Sequence, residues 1–112
     1  MNQVLLTLIA TPEVEEKLVD WLLGAGHGGF TTVGCQGHGV HHGQLSTSEQ
    51  VAGRQHRVAF WLQTTESSAR TIVSELSTGF EKSVLHYCIT PVVAGGSMAN
   101  VRPERSGVAS AD

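Results

Sequence analysis

The chain has 112 residues, a net charge of −3 and a pI near 6.0. This length suits one domain that buries its own core without a disulfide or a metal, and the charge argues against nucleic-acid binding. The two cysteines, Cys35 and Cys88, are far apart and form no CxxC motif, which favours a reducing, cytoplasmic setting. The N-terminal residues lack the pattern of a signal peptide or membrane span, so we expect no direct membrane insertion.

The first half of the sequence predicts a strand, a helix and a second strand. Residues 4–10 are apolar on both faces, as in a buried strand. Thr11 and Pro12 are typical of a helix start, with Thr as the N-cap and Pro in the first turn. Glycines within residues 24–29 end this helix, and residues 30–35 are rich in β-branched side chains, as in a strand. The helix has an apolar stripe formed by Val14, Leu18, Trp21 and Leu22.

The second half repeats this order after a long polar connection. Residues 36–54 contain mostly Gly, His, Ser and other polar types, which predicts a loop. Residues 56–64 predict a third strand, residues 66–80 a second helix and residues 83–93 a fourth strand. From residue 94 onward the sequence has no periodicity.

The predicted order β-α-β-β-α-β indicates an α+β, ferredoxin-like fold. Right-handed crossovers give a four-stranded antiparallel sheet with two helices on one face. We therefore expect one domain over residues 1–93 and a flexible C-terminal tail over residues 94–112.

The two central strands are apolar on both faces. In the first strand Leu6 and Leu8 point to one face while Leu5 and Ile9 point to the other, and Trp61 shares that second face. Two helices can cover only one face, and monomers rarely expose a large apolar patch. The pattern thus predicts association through the uncovered face, the alternative being that these side chains are scattered exposed apolar residues.

The loop of residues 36–54 is the main candidate for function, because loops of this length are usually functional or disordered. Its first part, residues 37–43, combines glycines with three histidines. Glycines allow close backbone approach, and consecutive N–H groups in such turns can bind an anion. Arg54 and Arg57 at the end of the loop can add positive charge.

Histidines give a second hypothesis for the loop. His38, His41 and His42 lie within five residues, and neutral imidazole binds Zn, Cu or Ni. The alternative is a solvated His-rich turn. His86 and Cys88 share one face of the fourth strand, where they can bind a soft metal or pack at a subunit contact.

Catalysis has little support in this sequence. Ser46 and Ser48 have a neighbouring Glu49 and nearby histidines but no nucleophile elbow, and no paired carboxylates are evident. We therefore predict that the protein is not an enzyme.

Two segments resemble PII signalling proteins. Residues 29–33 (GFTTV) followed by residues 37–39 (GHG) resemble the PII strand that runs into a Gly-x-Gly turn and opens the mobile T-loop. Residues 49–55 (EQVAGRQ) are similar to the loop end of a PII-like family encoded beside heavy-metal efflux pumps. The resemblance covers residues 3 to about 93.

The resemblance implies a homotrimer with inward-facing sheets and ligand clefts between subunits. It implies adenine nucleotide or bicarbonate as effectors, although a turn unlike Gly-Asp-Gly-Lys before the fourth strand favours an effector other than ATP. Together with the loop pattern, it gives a candidate ligand-binding set of Thr31, Gly37, His38, Gly39, His41, Arg54, Arg57 and Lys82.

These observations lead to one functional hypothesis and two alternatives. The first is a PII-like regulatory protein whose effector changes the order of loop 36–54 and so its docking on a membrane transporter, with heavy-metal transporters as the candidate class. The second is a small cytoplasmic protein that binds a divalent or monovalent transition metal through His38, His41 and His42. The third is a structural oligomeric module without a ligand.

Overall fold

The computed structural model describes residues 2–38, 54–81 and 84–103. The elements are β1 (Gln3–Ala10), a 3-10 turn (Pro12–Val14), α1 (Glu15–Gly24), β2 (Phe30–His38), β3 (Arg54–Thr65), α2 (Glu66–Gly79), β4 (Leu85–Pro91) and a second 3-10 turn (Met98–Asn100). The four strands form one antiparallel sheet in the order β2-β3-β1-β4. The predicted α+β, ferredoxin-like fold is confirmed.

Both helices pack on the same face of the sheet. Leu18 and Leu22 of α1 and Ile72 of α2 are fully buried in one cluster with Leu6 and Phe60 of the central strands. None of the helices in the described ranges is long and apolar enough to cross a membrane. The core is therefore a single layer between the helices and one face of the sheet.

β2 and β3 extend further than the sequence predicts. Gln36, Gly37 and His38 continue β2, and Arg54 begins β3, so both ends of the predicted loop belong to the sheet. Pairing with β3 keeps these residues in the sheet despite their loop-like composition, because strand propensity depends strongly on the neighbouring strand. The remainder of the loop, residues 39–53, lies outside the described residues.

Thr11 lies at the N-cap position of the 3-10 turn that leads into α1 and Pro12 lies in its first turn, as predicted, but the Thr11 side chain makes no capping hydrogen bond. The Thr11 hydroxyl oxygen is buried without a hydrogen-bond partner in the described part of the chain. The first turn is closed by the Thr11 carbonyl, which accepts from the Val14 N–H at 3.2 Å, and α1 begins only at Glu15. The Thr11 N–H instead donates to the Val84 carbonyl at 3.2 Å and joins the end of β1 to the segment before β4.

The helix start of α2 is capped by a side chain. The Thr65 hydroxyl oxygen accepts a hydrogen bond from the Ser68 N–H at 3.2 Å. Nearby, a hydrogen bond from Arg70 and a second from the Asn2 side chain lower the pKa of Glu66. These contacts fix the sharp junction between β3 and α2.

The sequence predicts no regular element after residue 94, but the structure contains a 3-10 turn at Met98–Asn100. The Ser97 hydroxyl oxygen caps this turn by accepting from the Ala99 N–H at 3.1 Å. Flexibility of residues 94–112 stays a prediction, and residues 104–112 lie outside the described residues.

No helix within the described residues packs on the second face of the sheet, and we call it the open face. The strand register aligns two rows of side chains across it. The Trp61 side chain is 43% exposed there, whereas Phe60, its neighbour on the helix side, is fully buried. The rows are Cys88–Thr7–Trp61–Thr31 and His86–Ile9–Ala59–Val33.

We expect Trp61→Lys to abolish self-association, because the change places a charge in the middle of the open face. Light scattering should then give a mass near the 11.9 kDa of one chain. Leu23→Lys is the matched control, since Leu23 is an exposed apolar residue on α1, outside the open face. An oligomer that tolerates Trp61→Lys would show that association uses another surface.

We expect Thr65→Ala to lower the free energy of unfolding by about 1 kcal/mol, because the Ser68 N–H loses its cap. Urea unfolding measures this change. Thr71→Ala makes the same chemical change at an exposed interior position of α2 and should cost nothing measurable. Equal effects of the two substitutions would contradict a capping role.

Candidate functional site

The paired ends of β2 and β3 form the base of the predicted loop. On the open face Cys35 lies opposite Arg57, and Gly37 lies opposite Gln55. A cavity of about 290 Å³ lies at this end of the sheet, and the turn before α1 forms part of its wall. Its lining includes Pro12, Gly34, Cys35, Gln36, His56, Arg57 and Val58.

Arg57 is positioned by the backbone of its own strand. Its Nη1 donates to the carbonyl of His56 at 2.8 Å, and the residue is half-buried. A guanidinium has five N–H donors in a planar fork, so this single bond orients the group without using up its capacity to bind an anion. Arg57 thus presents an oriented positive charge on the open face, at the end of the sheet where the cavity lies.

Gly37 lies directly beside Arg57. A Cβ atom at Gly37 would lie 3.6 Å from Arg57 Cγ and 4.0 Å from the Gln55 carbonyl oxygen, which are ordinary contacts. Among the described glycines, positive φ angles occur at Gly26 and Gly29 and not at Gly37. The protomer therefore does not require glycine at position 37, and any such requirement must come from a ligand or a second chain.

Thr31 lies apart from the other described candidates. It pairs with Trp61 on the open face, six residues before Gly37 on the same strand. Six residues of extended strand span about 20 Å. Thr31 and Gly37 therefore cannot contact the same small ligand within one protomer, although residues from two chains can.

The remaining candidates are only partly described. His38 is exposed at the last position of β2 and pairs with Arg54, the first residue of β3. Gly39, His41, His42 and Lys82 lie outside the described residues, as does the Arg54 side chain. The described ranges contain no group of three or more His, Cys, Asp or Glu side chains placed to bind a metal, so the loop-histidine metal site stays a prediction.

Gln55 is a site residue that the sequence analysis did not single out. Of the residues that the structure describes, it is the one polar side chain that is buried, and it faces Gly37. The sequence could have indicated Gln55, because it is the last residue of the segment 49–55 that resembles the loop end of the PII-like family. A buried amide beside a glycine suits a position that supports the base of the loop.

The sequence family DUF3240, proteins of unknown function, matches residues 1–99. The chain belongs to the DUF3240 family. The match spans all four strands and both helices. No curated protein is detectably similar to the chain.

Solved structures with the same fold include one DUF3240 protein and two PII-like proteins. The DUF3240 protein from Shewanella baltica has a TM-score of 0.68 and 18% identity, over 88% of this chain and 98% of its own. CPII from Thiomonas intermedia, a nitrogen regulatory PII-like protein bound to ADP, AMP and bicarbonate, has a TM-score of 0.64 and 19% identity, with the same coverage. A PII-like signalling protein from Thermus thermophilus has a TM-score of 0.58 and 19% identity, over 82% and 91% of the chains. The fold is therefore that of PII-like signalling proteins, as the sequence predicts.

We expect Gly37→Val to leave the free energy of unfolding unchanged or slightly higher, because a strand position with ordinary contacts accepts a β-branched residue. Urea unfolding is the measurement. Gly29→Val is the matched control: Gly29 has open space around it but a φ of 99°, so valine there should cost about 1–3 kcal/mol. A large loss of stability in Gly37→Val would mean that the fold itself requires this glycine.

Proposed function

We propose that this DUF3240 protein is a PII-like regulatory protein that binds a small anionic effector at the base of the loop. The observation that supports the proposal most is the adjacency of Arg57 and Gly37 where β2 and β3 meet the segment 39–53. The proposed effectors are bicarbonate and an adenine nucleotide, the ligands of CPII, whose fold this chain shares.

The chemistry of the Gly37–Arg57 corner, the paired ends of β2 and β3 that contain these two residues, suits an oxyanion. A planar guanidinium forms paired hydrogen bonds with bicarbonate or phosphate oxygens, and such charge-assisted bonds are strong. Gly37 near the end of β2 lets the anion approach the backbone closely, because glycine has no side chain in the way. Lys82 and the Gly-His-Gly start of the loop are proposed to complete the site.

The distance between Thr31 and Gly37 favours a site shared between chains. We propose a homotrimer in which the open faces meet, so that Thr31 of one copy approaches the Gly37–Arg57 corner of the next. The apolar residues of the open face supply the reason for association, because burying them removes apolar surface from water.

The proposed output is a change in the segment between the paired strands. An effector that binds one arrangement of residues 39–53 more tightly than another shifts their populations. We propose that this shift controls docking of loop 36–54 on a cytoplasmic face of a membrane transporter, such as one for heavy metals. Regulation by binding requires no catalytic residues.

Calorimetric titration with bicarbonate, ADP and AMP, singly and in pairs, tests the proposal. Loss of a charge-assisted hydrogen bond costs about 1.5–3 kcal/mol, so Arg57→Gln should weaken binding about tenfold to a hundredfold. Gly37→Val should weaken it without loss of stability, since the valine side chain stands between the anion and the backbone.

Arg70→Gln is the control for charge, because Arg70 is an exposed arginine paired with Glu66 at the start of α2. It should leave the affinity unchanged. A folded oligomer that binds none of the three anions contradicts the proposal, as does equal weakening by Arg70→Gln and Arg57→Gln.

A further inference from the structure

Residues 92–103, the C-terminal arm, leave β4 and cross to the open face. The Val92 N–H donates to the Gln3 carbonyl at 3.0 Å, which extends the pairing of β4 with β1. Gly95 then lies so close to Gln63 that a Cβ atom would be 2.6 Å from the side-chain amide nitrogen. Because Gln63 pairs with Leu5, this contact places the arm at one end of the open face.

Beyond this contact the arm forms a closed turn that exposes apolar side chains. Backbone hydrogen bonds from Asn100 to Ser97 and from Val101 to Met98 accompany the Ser97 cap. The Val93, Met98 and Val101 side chains are nevertheless 102%, 82% and 55% exposed. The arm is therefore a shaped apolar surface that the described part of its own chain leaves uncovered.

An apolar cavity of about 180 Å³ lies between the C-terminal half of α2 and β4. Cavities of about 150 Å³ with apolar walls bind benzene-sized molecules, so this one has room for a methionine side chain. Its walls include Val73, Leu76, Phe80, Leu85 and the 60%-exposed Tyr87, and Glu81 lies beside them.

The arm does not fill the cavity of its own chain, because its Gly95 lies against Gln63 on the open side. Leu85 and Tyr87 pair with Ala10 and Leu8, whose side chains are buried against the helices, so the cavity lies on the helix side of the sheet. The arm lies on the open side and leaves from the other end of β4, about 20 Å away along seven strand residues. The arm of a second copy can approach this cavity from outside the chain.

We propose that the arm of one copy inserts Met98 and Val101 into the α2–β4 cavity of the next copy. Methionine adapts readily to irregular apolar cavities. Arg102 follows these residues on the arm, and Glu81 beside the cavity carries the opposite charge. The contact joins two different surfaces, and such contacts close into rings when repeated about a rotation axis. The arm contact itself does not depend on the proposed function; the expectation of three copies in the ring does, because it rests on the proposed trimer.

Disulfide trapping between differently tagged chains tests this contact. Both chains carry Cys35→Ala and Cys88→Ala; one also carries Met98→Cys and the other Ser77→Cys, at the cavity wall. After the chains are mixed by unfolding and refolding, oxidation should give a mixed disulfide on denaturing gels. Ser67→Cys, about 15 Å away at the start of α2, replaces Ser77→Cys in the control and should give none.

A second measurement uses single substitutions in the full chain. Met98→Asp should raise the dissociation constant of the oligomer at least about tenfold, whereas Asn100→Asp on the same turn should leave it unchanged. Equal effects of the two changes overturn the arm contact. An intact oligomer that forms no disulfide between positions 98 and 77 overturns it as well. If such an oligomer still binds bicarbonate or nucleotide, the proposed function stands without the arm. A chain that is monomeric throughout overturns both the arm contact and the proposed trimer.

Discussion

The pairing of β1 with β3 places every second side chain of both strands on a face that neither α1 nor α2 covers. On the helix side Leu6, Leu8 and Phe60 are buried almost completely within one chain. On the other side Trp61 is 43% exposed in a row that crosses all four strands. Burial of apolar surface stabilises by about 25 cal/mol per Å², so covering the apolar side chains of this face favours association.

The long ladder between β2 and β3 connects this face with the candidate site. The two strands pair from Phe30 opposite Leu62 to His38 opposite Arg54, without interruption. His38 and Arg54, which flank the segment 39–53, are consequently held side by side, and Arg57 lies three residues inside β3. A ligand that binds Arg57 and the backbone at Gly37 contacts the paired part of this ladder close to its last pair, His38 and Arg54. Such a position allows binding energy to bias the arrangement of the segment.

Apolar periodicity was sufficient to predict the element order and the buried face, because the core contains mainly strand and helix residues with regular spacing. It was not sufficient where pairing decides the structure: Gln36, Gly37 and His38 have loop-like composition but are held in the sheet by β3. Thr11 takes the predicted N-cap position, but the first turn is closed by its backbone carbonyl and not by its side chain. Arg57 was a candidate from its charge at the end of the loop and stays one, whereas the separation of Thr31 from Gly37 required the strand geometry.

The two surfaces proposed for contact between copies lie at opposite ends of the sheet. The arm leaves beside Gln3 and Gln63, in the half of the sheet that contains Thr31. The cavity begins at Leu85, which lies across the sheet from Ala10, Val58 and Gly34, in the half that contains the Gly37–Arg57 corner. An arm that docks in the cavity of the next copy therefore brings the Thr31 half of one sheet towards the Gly37 half of another. A ligand shared between Thr31 and Gly37 requires the same end-to-end approach of two copies, although the cavity borders β4 on the helix side and the Gly37–Arg57 pair lies on the open face at β2 and β3.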